Sequence, residues 1–70
     1  MEEIEFTLRG EYITLDALLK ATGLAGSGGQ AKQLIAAGEV RVDGELETRR
    51  GAKIRVGQHV LAAGRPILIR

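Results

Sequence analysis

The spacing of hydrophobic positions changes several times along this chain. Ile4, Phe6 and Leu8 alternate with Glu5, Thr7 and Arg9, the two-residue period of a strand with one buried face. From Thr14 the period lengthens, and Leu15, Leu18 and Leu19 recur at helical spacing. Thr14 is a good N-cap, Asp16 falls in the first turn, and Gly23 is expected to stop this helix. Gly23-Leu24-Ala25-Gly26 reads as a connector. Ser27 then opens a second helix with an apolar stripe of Ala31, Leu34 and Ile35. Ser27 and Gln30 fit a capping box, in which each side chain takes up an orphan backbone N–H of the other residue. Gly38 ends the second helix.

Beyond Gly38 the two-residue period returns. Val40 and Val42 alternate with Glu39, Arg41 and Asp43 and run into Asp43-Gly44, a turn signal. A two-residue turn would set Val42 opposite Glu45 and Val40 opposite Glu47, placing carboxylates on the buried face. A three-residue loop, Asp43-Gly44-Glu45, pairs Val42 with Leu46, Val40 with Thr48 and Arg41 with Glu47, and the pattern favours that register. Ile54 with Val56, Val60 with Ala62, and Ile67 with Ile69 mark further short strands, separated by turns at Gly57-Gln58 and Gly64-Arg65-Pro66. The predicted fold class is α+β, a helix-turn-helix-like αα hairpin packed on a small, mostly antiparallel β-sheet.

Length and composition restrict what this fold can do. The 70 residues predict a single domain, 1–70, and a domain of that size buries only about 60% of the surface of its unfolded chain. Hydrophobic residues at 44% and charged residues at 27% are those of an ordinary globular domain. No apolar run approaches the ~18 residues of a membrane span. The acidic, alternating start Met1-Glu2-Glu3-Ile4-Glu5 lacks the basic and apolar segments of a secretory signal, so a cytoplasmic location is expected. The chain has no cysteine and one histidine, His59, so no disulfide, metal site, cofactor or nucleophile–base pair is expected, and the protein is not expected to be an enzyme.

Net charge is only +1, but the charges are segregated along the chain. Glu2, Glu3, Glu5 and Glu11 dominate the start against Arg9, whereas residues 49–70 carry Arg49, Arg50, Lys53, Arg55, Arg65 and Arg70 with no acid. Such a segment makes a local positive field that attracts phosphate even on a near-neutral molecule.

The sequence G-x-V-x-V-x-G at Gly38 to Gly44, preceded by a serine-started A-x-x-L-I helix, resembles the RNA-binding domain of ribosomal small-subunit protein four. Ile54 and Gly57-Gln58-His59-Val60 resemble that family's G-D-x-I element, with Gln58 where aspartate is usual. Ser27-Gly28, Ala31-Lys32, Val40 to Gly44 and Glu47-Thr48-Arg49 are similar to the small stand-alone bacterial YbcJ-type members of the superfamily. The resemblance covers most of the chain and implies the family's αL motif and an RNA-binding, ribosome-associated, non-catalytic module. Many members place an arginine directly after the helix-opening serine. This chain has Gly28 and Gly29 there, so that contact is lost, which leaves either weaker RNA binding or close approach of phosphate to the bare backbone N–H groups at the helix start.

The residues expected to contact RNA are Ser27 and Gly28 at the start of the second helix, Lys32 and Gln33 on its solvent side, and Arg41, Arg49, Arg50, Lys53 and Arg55. Arg49 to Arg55 form the densest cluster, and Arg41 is expected to share its charge with Glu47. Asp43 and Gly44 read as turn chemistry. Phe6 and Tyr12 are the only aromatics, and Phe6 falls on a buried strand face, so a base-stacking platform is nearly absent. The expected partner is therefore structured RNA, ribosomal RNA first, read through backbone and shape by a monomer, with no small-molecule substrate and no membrane. A protein-interaction adaptor using separate acidic and basic surfaces is the alternative. A DNA-reading helix-turn-helix ranks last, because the second helix offers only Gln30, Lys32 and Gln33 as base-reading side chains.

Overall fold

The computed structural model describes residues 3–70; Met1 and Glu2, the first positions of the acidic start, lie outside the described residues. The elements run β1 (Ile4–Phe6), β2 (Ile13–Thr14), α1 (Leu15–Ala21), α2 (Gly28–Ala36), β3 (Val40–Val42), β4 (Glu45–Leu46), β5 (Lys53–Ile54), β6 (His59–Ala62) and β7 (Arg65–Ile69). Strands β1-β7-β6-β3-β4 form one five-stranded sheet, antiparallel except for β1 alongside β7, and β2 and β5 make a separate antiparallel pair. The expected α+β architecture is therefore present.

Leu15, Leu18 and Leu19 of α1 meet Ala31 and Ile35 of α2 in one core with Val40, Ile54, Val60, Ala62, Ile67 and Ile69 from the strands. Each large aliphatic buried this way contributes about 1.5–3 kcal/mol over its exposed state. Alternation along β6 and β7 shows that only one sheet face is covered: Val60, Ala62, Ile67 and Ile69 are buried, while His59 and Leu61 are exposed.

Thr14 occupies the N-cap position of α1, but its side chain makes no capping hydrogen bond. The Leu15 N–H instead donates to the Ala52 carbonyl at 2.9 Å, and the Asp16 N–H to the Arg50 carbonyl at 3.1 Å. Helix α2 is capped as its sequence suggests on one side only. Ser27 Oγ accepts from the Gln30 N–H at 3.2 Å, but Gln30 Oε1 accepts from the Gly26 N–H at 2.7 Å rather than from Ser27. At the other end, Gly38 takes φ +79°, the Gly38 N–H reaches the Ile35 carbonyl and the Glu39 N–H reaches the Leu34 carbonyl, the Schellman pattern.

Two expectations about hairpins need correction. Val42 faces Glu45 and Arg41 faces Leu46, so the β3–β4 turn has two residues, not three. Asp43 at φ +51° and Gly44 at φ +84° supply the two left-handed positions of a type I′ turn. The carboxylate opposite Val42 carries no burial cost, because β4 is an edge strand beyond the core and both Glu45 and Leu46 are exposed. The last turn is Ala63-Gly64, not Gly64-Arg65-Pro66, since Ala62 pairs with Arg65 and Leu61 with Pro66 inside the β6–β7 hairpin. In that register the Pro66 nitrogen points away from β6, and the described pairing with β1 begins at Ile67, so among the described residues its missing N–H breaks no ladder bond. Val56 lies outside any strand and is exposed.

Two substitutions should move stability in opposite directions. Gly38→Ala forces a Cβ into the left-handed region and is expected to cost about 1–2 kcal/mol. Ala63→Asn places a residue suited to the first left-handed turn position at φ +49° and is expected to add about 0.5–1 kcal/mol. Urea denaturation midpoints at constant slope measure both.

Candidate nucleic-acid interface

The basic segment is held by its own backbone. Carbonyls of Arg50 and Ala52 satisfy the first amides of α1, and Thr14 pairs with Lys53 and Ile13 with Ile54 across β2 and β5. Ile54 is fully buried by this pairing, which turns Lys53 and Arg55, its neighbours on either side, outward. The segment thus presents exposed cations from an anchored backbone.

Asp43 and Gln58 brace the other side. Asp43 Oδ1 accepts from the His59 N–H at 2.9 Å, and Asp43 Oδ2 accepts from Gln58 Nε2 at 3.1 Å. Gln58 Oε1 accepts from the Arg55 N–H at 2.8 Å, so one amide side chain ties the β3–β4 turn to the end of the basic segment. An aspartate at position 58 has no donor for Asp43, which gives the glutamine a reason in this chain. Hydrogen bonds from the His59 backbone and then from Gln58 hold the Asp43 carboxyl below the usual carboxylate range.

Eight of the nine residues expected to meet RNA lie at two places, and the ninth, Arg41, lies on β3. Ser27, Gly28, Lys32 and Gln33 are exposed on α2. The Ser27 hydroxyl is occupied by its cap, and a Cβ on Gly28 would meet open space, so the fold does not demand glycine there. Gln33 borders an apolar depression with Leu24, Gln30, Leu34 and Ala37. Arg49, Arg50, Lys53 and Arg55 are all exposed at the second place. Arg49 and Lys53 share a groove of about 280 Å³ with Asp43, Glu45, Glu47 and Gln58. They also border a depression of about 440 Å³ whose remaining lining is Gly51 and Ala52, with no carboxylate.

The ion pairing differs from expectation. Glu47 does not face Arg41; it takes Arg49 in a forked pair, with Arg49 Nε at 3.1 Å and Nη2 at 3.2 Å from its two oxygens, and accepts from the Arg49 N–H as well. Side-chain and backbone hydrogen bonds from Arg49 lower the Glu47 carboxyl accordingly. The two-residue turn is the cause, since it slides Glu47 one position past Arg41. Arg41 donates to the Gly44 carbonyl at 3.4 Å and has no carboxylate partner among the described residues. The charge segregation read along the chain is also partly cancelled in space. Parallel pairing of β1 with β7 sets Glu5 against Arg70, and the two form an ion pair.

Tyr12 was not among the expected site residues. It is 43% exposed, with Lys53 Nζ 5.0 Å and Arg55 Cζ 5.8 Å from the ring centroid, while Arg55 Nη1 donates to the Glu11 carbonyl at 3.4 Å. Apolar Ile13 and Ile54 were the available signal for a β2–β5 pairing that brings these side chains together. Among the described residues no group of three or more His, Asp or Glu side chains is placed to hold a metal ion.

An S4 domain family model matches residues 6–70. The chain belongs to the S4 domain family. It is 47% identical over 58 residues to YbcJ of Escherichia coli (strain K12), with 83% of each chain covered. The solution structure of E. coli YbcJ, described as revealing an αL motif involved in RNA binding, superposes with a TM-score of 0.76 at 41% identity, covering 99% of this chain and 89% of that one. RlbA of Bacillus subtilis (strain 168), named a probable ribosome maturation protein, is 43% identical over 54 residues, 77% of this chain and 76% of its own. A tyrosine–tRNA ligase of Oleidesulfovibrio alaskensis is 38% identical over 61 residues, which are 87% of this S4 chain but 15% of the ligase.

The lowered carboxyls set the acid response. Asp43, Glu47 and Asp16 are all held below their ordinary range, Asp16 chiefly by the Thr14 hydroxyl. Their native pKa values lie below the unfolded values, so the stability they contribute is complete only above about pH 5, clear of the unfolded values, and is lost as pH falls through the native values. Asp43→Asn should lower the urea midpoint at neutral pH and flatten its decline in acid. Equal acid slopes for the two proteins would remove Asp43 from this role.

Proposed function

We propose that this S4 domain is a monomeric, non-catalytic, cytoplasmic module that binds structured RNA, ribosomal RNA in particular. The observation that carries the reading is the acid-free depression edged by Arg49 and Lys53, whose backbone is fixed by hydrogen bonds to α1 and by the β2–β5 pair. Arg50 and Arg55 extend this positive surface, and Lys32, Gln33, Ser27 and Gly28 supply a second set of contacts from α2. Arg41, released from Glu47, is available to the same ligand. The Arg49–Glu47 pair exchanges readily for phosphate, because the Arg49 side chain is 79% exposed.

The RNA-binding motif described for YbcJ and the maturation role in the name of RlbA support RNA and the ribosome as partners. The ligase match supports a binding role without catalysis, since it covers only a small part of that enzyme. No described helix is long and apolar enough to cross a membrane. The ion pair of Glu5 with Arg70 between β1 and β7 weighs against the adaptor alternative, because it joins one acid of the chain start to one base of the chain end.

Neutralisation of phosphate by about four cations gives an expected log–log salt slope of about −3 to −4. Arg49→Glu with Arg50→Glu should abolish most binding to a structured ribosomal RNA fragment at low salt and flatten that slope. Unchanged affinity in a filter-binding or anisotropy titration would remove the basic segment from the interface.

A further inference from the structure

We propose that Tyr12, Lys53 and Arg55 form a stacking site for one unpaired nucleobase, with the two cations neutralising the phosphates that flank it. The inference rests on the RNA-binding reading and names the part of the RNA that this surface selects. Folding has assembled the site from two distant stretches of chain. In the β2–β5 register Ile13 lies opposite Ile54, so the next pair outward is Tyr12 with Arg55, and Lys53 lies diagonally across from Tyr12 on the same outer face. The Arg55 guanidinium is tethered to the Glu11 carbonyl, and both cations stand within cation–π range of the ring.

Two features set this cluster apart from an ordinary solvated tyrosine. The ring is 43% exposed although the chain has only two aromatics, and the other, Phe6, packs against the core. Lys53 is also shared with the acid-free depression, so the positive strip runs from Arg49 through Lys53 to Tyr12 and Arg55. Lys53 and Arg55 stand over the ring, and an exposed aromatic with cations that can move to flanking phosphates is the combination by which proteins hold unpaired bases without reading their hydrogen-bonding edges. A fully paired stem has no free base to offer it. The site therefore favours structured RNA carrying a bulged or looped-out nucleotide.

Tyr12 is the only tyrosine and there is no tryptophan, so the intrinsic fluorescence of the protein reports on this ring alone. The full chain would be titrated with two RNA hairpins, one fully paired and one carrying a single bulged adenosine. Tighter binding of the bulged hairpin by about 5- to 150-fold, with saturable quenching of tyrosine fluorescence, is expected. Tyr12→Leu should erase the preference between the two hairpins, and Tyr12→Phe should retain it. A thermal melt of each variant confirms folding at this exposed position. Equal affinity for both hairpins, or an unchanged preference in Tyr12→Leu, would overturn the stacking site and leave RNA binding standing. Failure of the wild-type chain to bind either hairpin at low salt would instead overturn the RNA-binding reading itself.

Discussion

The first amides of α1 have no acceptor within their own helix, and the carbonyls of Arg50 and Ala52 supply it. Two backbone hydrogen bonds thereby attach a charged loop to the N-terminus of the helix that carries Leu15, Leu18 and Leu19 into the core. Each of these bonds contributes about 0.5–1.5 kcal/mol net, and together they hold the loop against the helix. Pairing of β2 with β5 continues the attachment by one step and buries Ile54. The outward directions of Arg49, Arg50, Lys53 and Arg55 follow from this anchoring.

Anchoring matters because long cationic side chains on a mobile segment would lose both backbone and side-chain freedom on meeting RNA. Here the backbone share has been met during folding, by hydrogen bonds that also complete a helix. The opposite brace, from Asp43 through Gln58 to Arg55, uses polar groups at the surface. Acid weakens the Asp43 end of that brace, whereas the α1 attachment is made by backbone amides and carbonyls that do not titrate.

The amphipathic patterns made most of the fold legible in the sequence. Both helices, the Schellman stop at Gly38, and the cores of β1, β3, β6 and β7 follow from the spacing of Leu15 to Leu19, Ala31 to Ile35 and the alternating valines and isoleucines. What periodicity does not carry is how far the core extends. Glu45 opposite Val42 looked costly only under the assumption that β4 shares the buried face, and the structure places β4 beyond it. From that one displacement came the wrong partner for Arg41, and the pairing of Glu47 with Arg49 went unforeseen. Ala63 in a left-handed turn is likewise invisible to residue preference, since the β6–β7 register imposes it. The basic cluster was readable as a run of charge, whereas Tyr12 joins it only through a pairing between positions 13 and 54.

RNA docking on the anchored strip from residue 49 to 55, with Tyr12 beside it, has a direct signature in solution. Amide chemical-shift mapping during titration with a structured ribosomal RNA fragment tests it directly. The largest perturbations are expected on residues 49–55 and around Tyr12, with a second set on the exposed side of α2. Perturbations concentrated on β1 and β7, around Glu5 and Arg70, with the strip unmoved would contradict it.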